Sequence, residues 1–181
     1  MPNCSTLDAR VGGQSTHAGE SHVPIMLSGV DGVRACIGFH LGHSDWLEVD
    51  RTMLLGFESL SGELQWMEIG APSEPSVPNA LLLALMIPML QEIYVLEDTL
   101  DVTLHGIEQL SFLSPAPFNS GLRVAATIKA VQPVGEHWRL IMSCRMDCDV
   151  TSEPVLQADV TYRFRSASAK ATPILSLCRS G

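Results

Sequence analysis

The sequence predicts an α+β fold in which a single antiparallel sheet wraps around one apolar helix. Two observations carry this. Residues 79–94 include the run ALLLALMIPML, which is apolar on every side rather than along one stripe, and a helix of that kind must be enclosed by other structure. Downstream, three segments alternate apolar and polar residues with period two, the pattern of half-buried antiparallel strands. Packing the apolar face of the sheet on the helix satisfies both at once.

The elements follow in order. Residues 1–22 are rich in Gly, Ser, Asn and His without apolar periodicity and read as a flexible N-terminal segment. The expected folded domain spans residues 23–166, and residues 167–181 form a small-residue tail. SDWLEV reads as a short strand. Asp50 then sits where an N-cap would, before RTMLLGFESL, whose Met53, Leu54, Phe57 and Leu60 recur at helical spacing; Ser61-Gly62 ends this helix. After the apolar helix, HGIEQLSFL at 105–113 suggests a strand with a less regular alternation, closed by SPAP. In 121–131 the even positions Leu122, Val124, Ala126, Ile128 and Ala130 are apolar. In 137–150 the apolar set runs from Trp138 through Cys148 to Val150, and in 154–165 it runs from Leu156 to Phe164, with turns at QPVGE and TSEP. A helix enclosed by such strands is the hot-dog architecture, although a generic helix-on-sheet fold fits the same pattern. No internal repeat is present.

Composition excludes several function classes. At 181 residues and 46% hydrophobic content the chain is expected to bury one substantial core. A net charge of −9 provides no basic footprint for nucleic acid and disfavours an anionic membrane surface. The longest apolar run, Ala80 to Leu90, is too short to span a bilayer and contains Pro88, and the N-terminus lacks the basic start and apolar core of a secretory signal, so a cytoplasmic protein is expected. Five cysteines without Cys-x-x-Cys spacing point to reduced thiols; Cys144 and Cys148 share a strand face but lie too far apart to bridge. His40 and His43 have no third ligand cluster nearby in sequence, so no metal site is expected, and no residue pattern calls for a cofactor.

GHSDWLEVDRTMLLGFESLSGELQWMEI resembles the opening of the MaoC-like hot-dog dehydratases and hydratases. IEQLSFLSPAPFNSGLRVAATI is similar to the same family's second and third strands, including the FLSP.P corner, and with the last two strands the likeness covers roughly residues 40–165. The resemblance implies homodimers or pseudo-dimers and an acyl-thioester substrate carried on coenzyme A or acyl carrier protein. Its implied chemistry is reversible addition of water across the 2,3-double bond. The family's catalytic pattern is G-D-x-x-x-x-H. Here Gly62 is retained, Glu63 stands for the Asp and Glu68 for the His, with Gln65 and Trp66 matching between them. The family's Ala-His-Gly entering the central helix appears as Pro78-Asn79-Ala80.

Two glutamates can still do acid–base chemistry. A lone carboxyl titrates well below neutrality, but two sharing one pocket titrate as a pair, one ionised as base and the other protonated as acid. Such a dyad suits dehydration, isomerisation or cyclisation more than activation of free water. The competing reading is that Glu63 and Glu68 are solvated residues left at an inactive site. By resemblance, a backbone N–H at the start of the central helix polarises the thioester carbonyl, so Ala80 N–H is the expected donor. Asn79 supplies a further donor or simply caps the helix. His105 is a reserve imidazole, with a surface or interface histidine as the plain alternative. Gln65 and Trp66 would line the substrate site, although Trp66 also fits the core. Arg123, Lys129, Arg139, Arg145, Arg163 and Arg165 fall on the polar sheet face, either as a solvated surface or as a strip for coenzyme A phosphates or a carrier protein.

The expected function is therefore proton-transfer chemistry on an acyl-thioester or polyketide-like intermediate, by a lyase or an isomerase/cyclase of specialised metabolism. The chain is expected to act as a homodimer or hot-dog heterodimer. A catalytically silent subunit or acyl-binding partner of an active dehydratase is the second expectation. A hot-dog thioesterase is the third, and it would need a carboxylate on the central helix, absent between Asn79 and Leu90.

Overall fold

The computed structural model describes residues 23–61 and 76–167. The terminal segments 1–22 and 168–181 lie outside the described residues, as does the stretch 62–75. In chain order the elements are β1 (Ile25–Ser28), α1 (Gly29–Ala35), β2 (His40–His43), β3 (Leu47–Glu48), α2 (Arg51–Ser61), α3 (Asn79–Ile93), β4 (Tyr94–Glu97), β5 (Thr99–Phe112), β6 (Gly121–Val134), β7 (His137–Cys148) and β8 (Leu156–Ser166). Six strands form one sheet in the order β2-β6-β7-β8-β5, with β3 also paired to β6; its pairings are antiparallel. A separate parallel pair joins β1 to β4.

The period-two pattern does what it predicts. Leu122, Val124 and Ile128 of β6, Leu140, Met142 and Met146 of β7, and Leu156, Val160 and Phe164 of β8 are all buried. Against them pack Leu81, Leu82, Met86, Met89, Leu90 and Ile93 of α3 in one apolar core. Asp50 caps α2 as expected, its Oδ1 accepting the Met53 N–H at 2.8 Å.

Several expectations are corrected. The alternation in β6 breaks between Ile128 and Ala130, where a bulge at Lys129 moves Ala130 off the core face and lets Val131 pack there instead. Val150 is 63% exposed in the turn after β7 rather than on its inner face. SDWLEV contributes only the two residues of β3. The apolar helix ends at Ile93, and Tyr94 opens β4. It is also not enclosed on all sides: Ala84, Pro88 and Gln91 are exposed, and Leu83, Leu85 and Ile87 are half-buried. One chain wraps one flank of α3 and leaves the other partly open.

Strand β5 is the irregular member. Its fourteen residues face the eleven of β8, and the excess is taken up by three register shifts. Asp101 and Gln109, with φ of 53° and 51°, adopt left-handed backbone within two of these intervals. His105 is the extra residue of the third, between Leu104 paired to Tyr162 and Gly106 paired to Thr161. Most of β5 is exposed, because it is the sheet's edge.

Cys36, Cys144 and Cys148 are free thiols, the last two buried. Burial pushes the Cys144 thiol up to about 12, so its thiolate is scarcely formed at neutral pH. Site-resolved alkylation of the native protein near pH 8 is expected to modify Cys36 well before Cys144 or Cys148. Early modification of Cys144 would contradict this packing.

Candidate active site

The described part of the site is built where the loop after β5 meets the start of α3. The corner 113–120 is held from several directions. Ser114 Oγ donates to the Pro154 carbonyl at 3.1 Å, Ser120 Oγ donates to the Pro117 carbonyl at 2.6 Å, and Asn119 takes a left-handed φ of 59°, which Asn tolerates. Against this corner lies the entry to α3: Val77 N–H donates to the Ala116 carbonyl at 2.8 Å, and Ser76 bridges to Pro117. Ser76 and Val77 are thus fixed beside the helix start.

Pro78 occupies the cap position of α3 with φ −56°, and its carbonyl accepts both Leu81 N–H at 2.9 Å and Leu82 N–H at 3.1 Å. Asn79 is accordingly the first helical residue and not the cap, which corrects one of its two expected roles. The N–H groups of Asn79 and Ala80 have no intrahelical carbonyl to bond, and both residues are exposed. With the helix dipole behind them they favour an oxygen that gains negative charge.

Glu63, Gln65, Trp66 and Glu68 lie outside the described residues. His105 stands on the bulged edge of β5, exposed, with no hydrogen bond to Asn79 or Ala80. The structure therefore brings Asn79 and Ala80 together at one helix end and leaves His105 on a sheet edge.

On the outer sheet face most of the basic strip meets acids. Arg145 Nε lies 2.9 Å from Asp147, Arg123 3.8 Å from the same carboxylate, and Lys129 2.6 Å from Asp159, while Arg165 pairs with Asp101. Arg139 and Arg163 sit opposite each other across β7 and β8 without an acidic partner among the described residues. His40 and His43 lie side by side, their rings tilted by 53° with centroids 4.9 Å apart. Burial, then Arg123, then His40 hold the His43 imidazole below its ordinary value. In a proton NMR titration its midpoint is expected below the ordinary histidine value, and Arg123→Gln is expected to raise it. Among the described residues no group of three His, Cys, Asp or Glu side chains is placed to hold a metal ion.

No family model matches the chain. A 3-hydroxyacyl-thioester dehydratase Z of Mycobacterium tuberculosis is 20% identical over 138 residues, covering 72% of this chain and 91% of that protein. Among solved structures, an Archaeoglobus monoamine oxidase regulatory protein superposes with a TM-score of 0.61 at 16% identity, covering 72% of this chain and 90% of its own. A MaoC-like dehydratase from Rhodospirillum rubrum does so with a TM-score of 0.53 at 15% identity, covering 72% and 92%. The chain has the hot-dog fold. A third similar structure is the ChsH1-ChsH2 complex of Mycobacterium tuberculosis, with a TM-score of 0.53 at 13% identity, covering 77% of this chain and 100% of the other. In this hot-dog frame α3 is the central helix, and Glu63 and Glu68 precede it in sequence.

Proposed function

We propose that this MaoC-like protein is a divergent member of the dehydratase and hydratase family. It performs acid–base chemistry, namely dehydration, isomerisation or cyclisation, on an acyl-thioester or polyketide-like intermediate of specialised metabolism. The observation that carries this is the open N-terminus of α3, with Asn79 and Ala80 exposed beside an anchored corner, in a fold whose curated relative is a thioester dehydratase. The substrate carbonyl sits at Ala80 N–H, where the charge of an enolate is stabilised, and the Asn79 amide adds a donor. Of the two glutamates, the ionised one removes the proton next to the thioester carbonyl and the protonated one delivers a proton to the leaving or receiving atom. Gln65 and Trp66 border the substrate, and His105 is the reserve base. The thioesterase reading gains no support, because the carboxylate of α3 is Glu92 in its last turn, where it accepts the Asp45 N–H at 3.3 Å.

The test is turnover of purified protein on short enoyl and 3-hydroxyacyl thioesters of coenzyme A and of acyl carrier protein. Conversion of any of these supports the reading. A folded protein inert towards all of them, alone, favours the second reading, a silent subunit or acyl-binding partner of an active dehydratase.

That second reading has its own observation. The edge strand β5 exposes Leu100, Val102, Leu104, Leu110 and Phe112, and one flank of α3 is partly open. A long edge with exposed apolar side chains calls for a covering surface, and a second hot-dog subunit is the cover proposed here. Light scattering after gel filtration is expected to show a dimer for the wild type and a monomer for Leu104→Glu/Phe112→Glu. A wild-type protein that stays monomeric at about micromolar concentration would remove the homodimer and leave a different chain as partner.

A further inference from the structure

On the sheet face turned away from α3 lies a recess of about 270 Å³ lined by His40, Ala125, Thr127, Ser143, Arg145 and Gln157, together with Cys144. Register explains why these residues meet. His40 pairs with Thr127, Thr127 with Ser143 and Ser143 with Asp159, forming one row across four strands. The next row runs from His43 through Ala125 and Arg145 to Gln157. Ala125 is the small member of that row, and its single methyl leaves the depression between larger neighbours.

The lining is rich in donors. The Thr127 and Ser143 hydroxyls and the Gln157 amide have no hydrogen-bond partner among the described residues. His40 Nδ1 accepts the Gly42 N–H at 3.1 Å, so the neutral ring carries its proton on Nε2 and donates from there. Arg145 binds Asp147 through Nε and Nη2, which leaves its remaining guanidinium nitrogen uncommitted. The nearby acceptors are already used: Asp147 by Arg145 and Arg123, and Asp159 by Lys129 at 2.6 Å. Arg123, Arg145 and Lys129 stand around this concave set of free donors, with Asp147, Asp159 and Glu108, the last paired to Asp159 across β8 and β5, as the acids beside them.

The geometry points to a binding site here for a small oxyanion, a carboxylate or phosphate group, separate from the active site at α3. Hydrogen bonds from hydroxyl, amide and guanidinium groups to an anion are the strong class, and the uncommitted guanidinium nitrogen of Arg145 favours an anion over a cation. The site does not depend on the reaction assigned to the protein.

The experiment follows backbone amide shifts of the isotope-labelled full chain during titration with sodium phosphate and, separately, sodium succinate, at ionic strength held constant with sodium chloride. Saturable shifts centred on Thr127, Ser143, Arg145 and Gln157 are expected. The tighter of the two anions identifies whether the natural group is a phosphate or a carboxylate. Ala125→Val fills the recess and Ser143→Ala removes one exposed donor; a loss of affinity of about tenfold in either variant, with an otherwise native spectrum, supports the site. Shifts no larger than those caused by chloride, or equal affinity in both variants and wild type, would overturn it.

Discussion

Glu68→Gln and Glu63→Gln are each expected to lower kcat on the accepted thioester by about 10²–10⁴-fold, the usual worth of a positioned proton-transfer group. Glutamine keeps the size and the hydrogen-bonding shape of the side chain while removing its proton exchange. KM should therefore change little, which separates lost chemistry from lost binding. The two effects are also expected not to add. If the carboxyls act as one coupled pair, the double variant should be nearly as slow as the worse single one. Circular dichroism of each variant should match the wild type. Unchanged kcat in both single variants would remove the dyad and turn attention to His105, for which His105→Gln is the corresponding test.

Phe164→Ala is expected to destabilise the fold by about 3–5 kcal/mol, the range for removing a fully buried aromatic side chain. Phe164 is 0% exposed, lies opposite Trp138 across β7 and β8, and belongs to the core cluster that also receives α3. The loss combines the transfer of the ring with the cavity it leaves, which the surrounding strands close only partly. Chemical denaturation at equilibrium should show the midpoint falling with little change in slope. A loss below about 1 kcal/mol would mean that the sheet and helix do not close on this side chain as described.

The fold was legible wherever one physical rule acted alone. β7 and β8 alternate apolar and polar residues in sequence because each has a neighbour on both sides and one face on the core, although Asp159 and Thr161 on the other face of β8 are buried as well. The capped start of α2 at Asp50 was readable for a similar reason, since one side chain satisfies a helix N–H locally. β5 was read only in part, as 105–113, because its edge position removes the burial that enforces alternation and its three bulges reverse the parity each time. The Lys129 bulge misplaced Ala130 by the same mechanism. β1, α1, β2 and β4 carry too few residues to display a period, and β1 is fixed by pairing with the distant β4.

The site was less legible than the fold. Asn79 and Ala80 could be placed at a helix start from sequence, but the cap belongs to Pro78, since the helix begins after it with Pro78 O accepting two N–H groups. The outer recess was hidden for a different reason. His40, Thr127, Ser143 and Gln157 are far apart in sequence and meet through register across four strands, which no local pattern encodes.

The most direct measurement of the central claim is deuterium incorporation at the carbon next to the thioester carbonyl. Purified protein would be incubated in D₂O with enoyl and 3-hydroxyacyl thioesters, and the recovered thioester analysed by mass spectrometry. Dehydration, isomerisation and cyclisation through an enolate all exchange that proton, so the readout does not require the final product to be known. Incorporation by the wild type that is lost in Glu63→Gln or Glu68→Gln is the expected result. A folded wild-type protein that leaves every thioester unlabelled, or variants that label as fast as it does, would contradict acid–base catalysis by this pair.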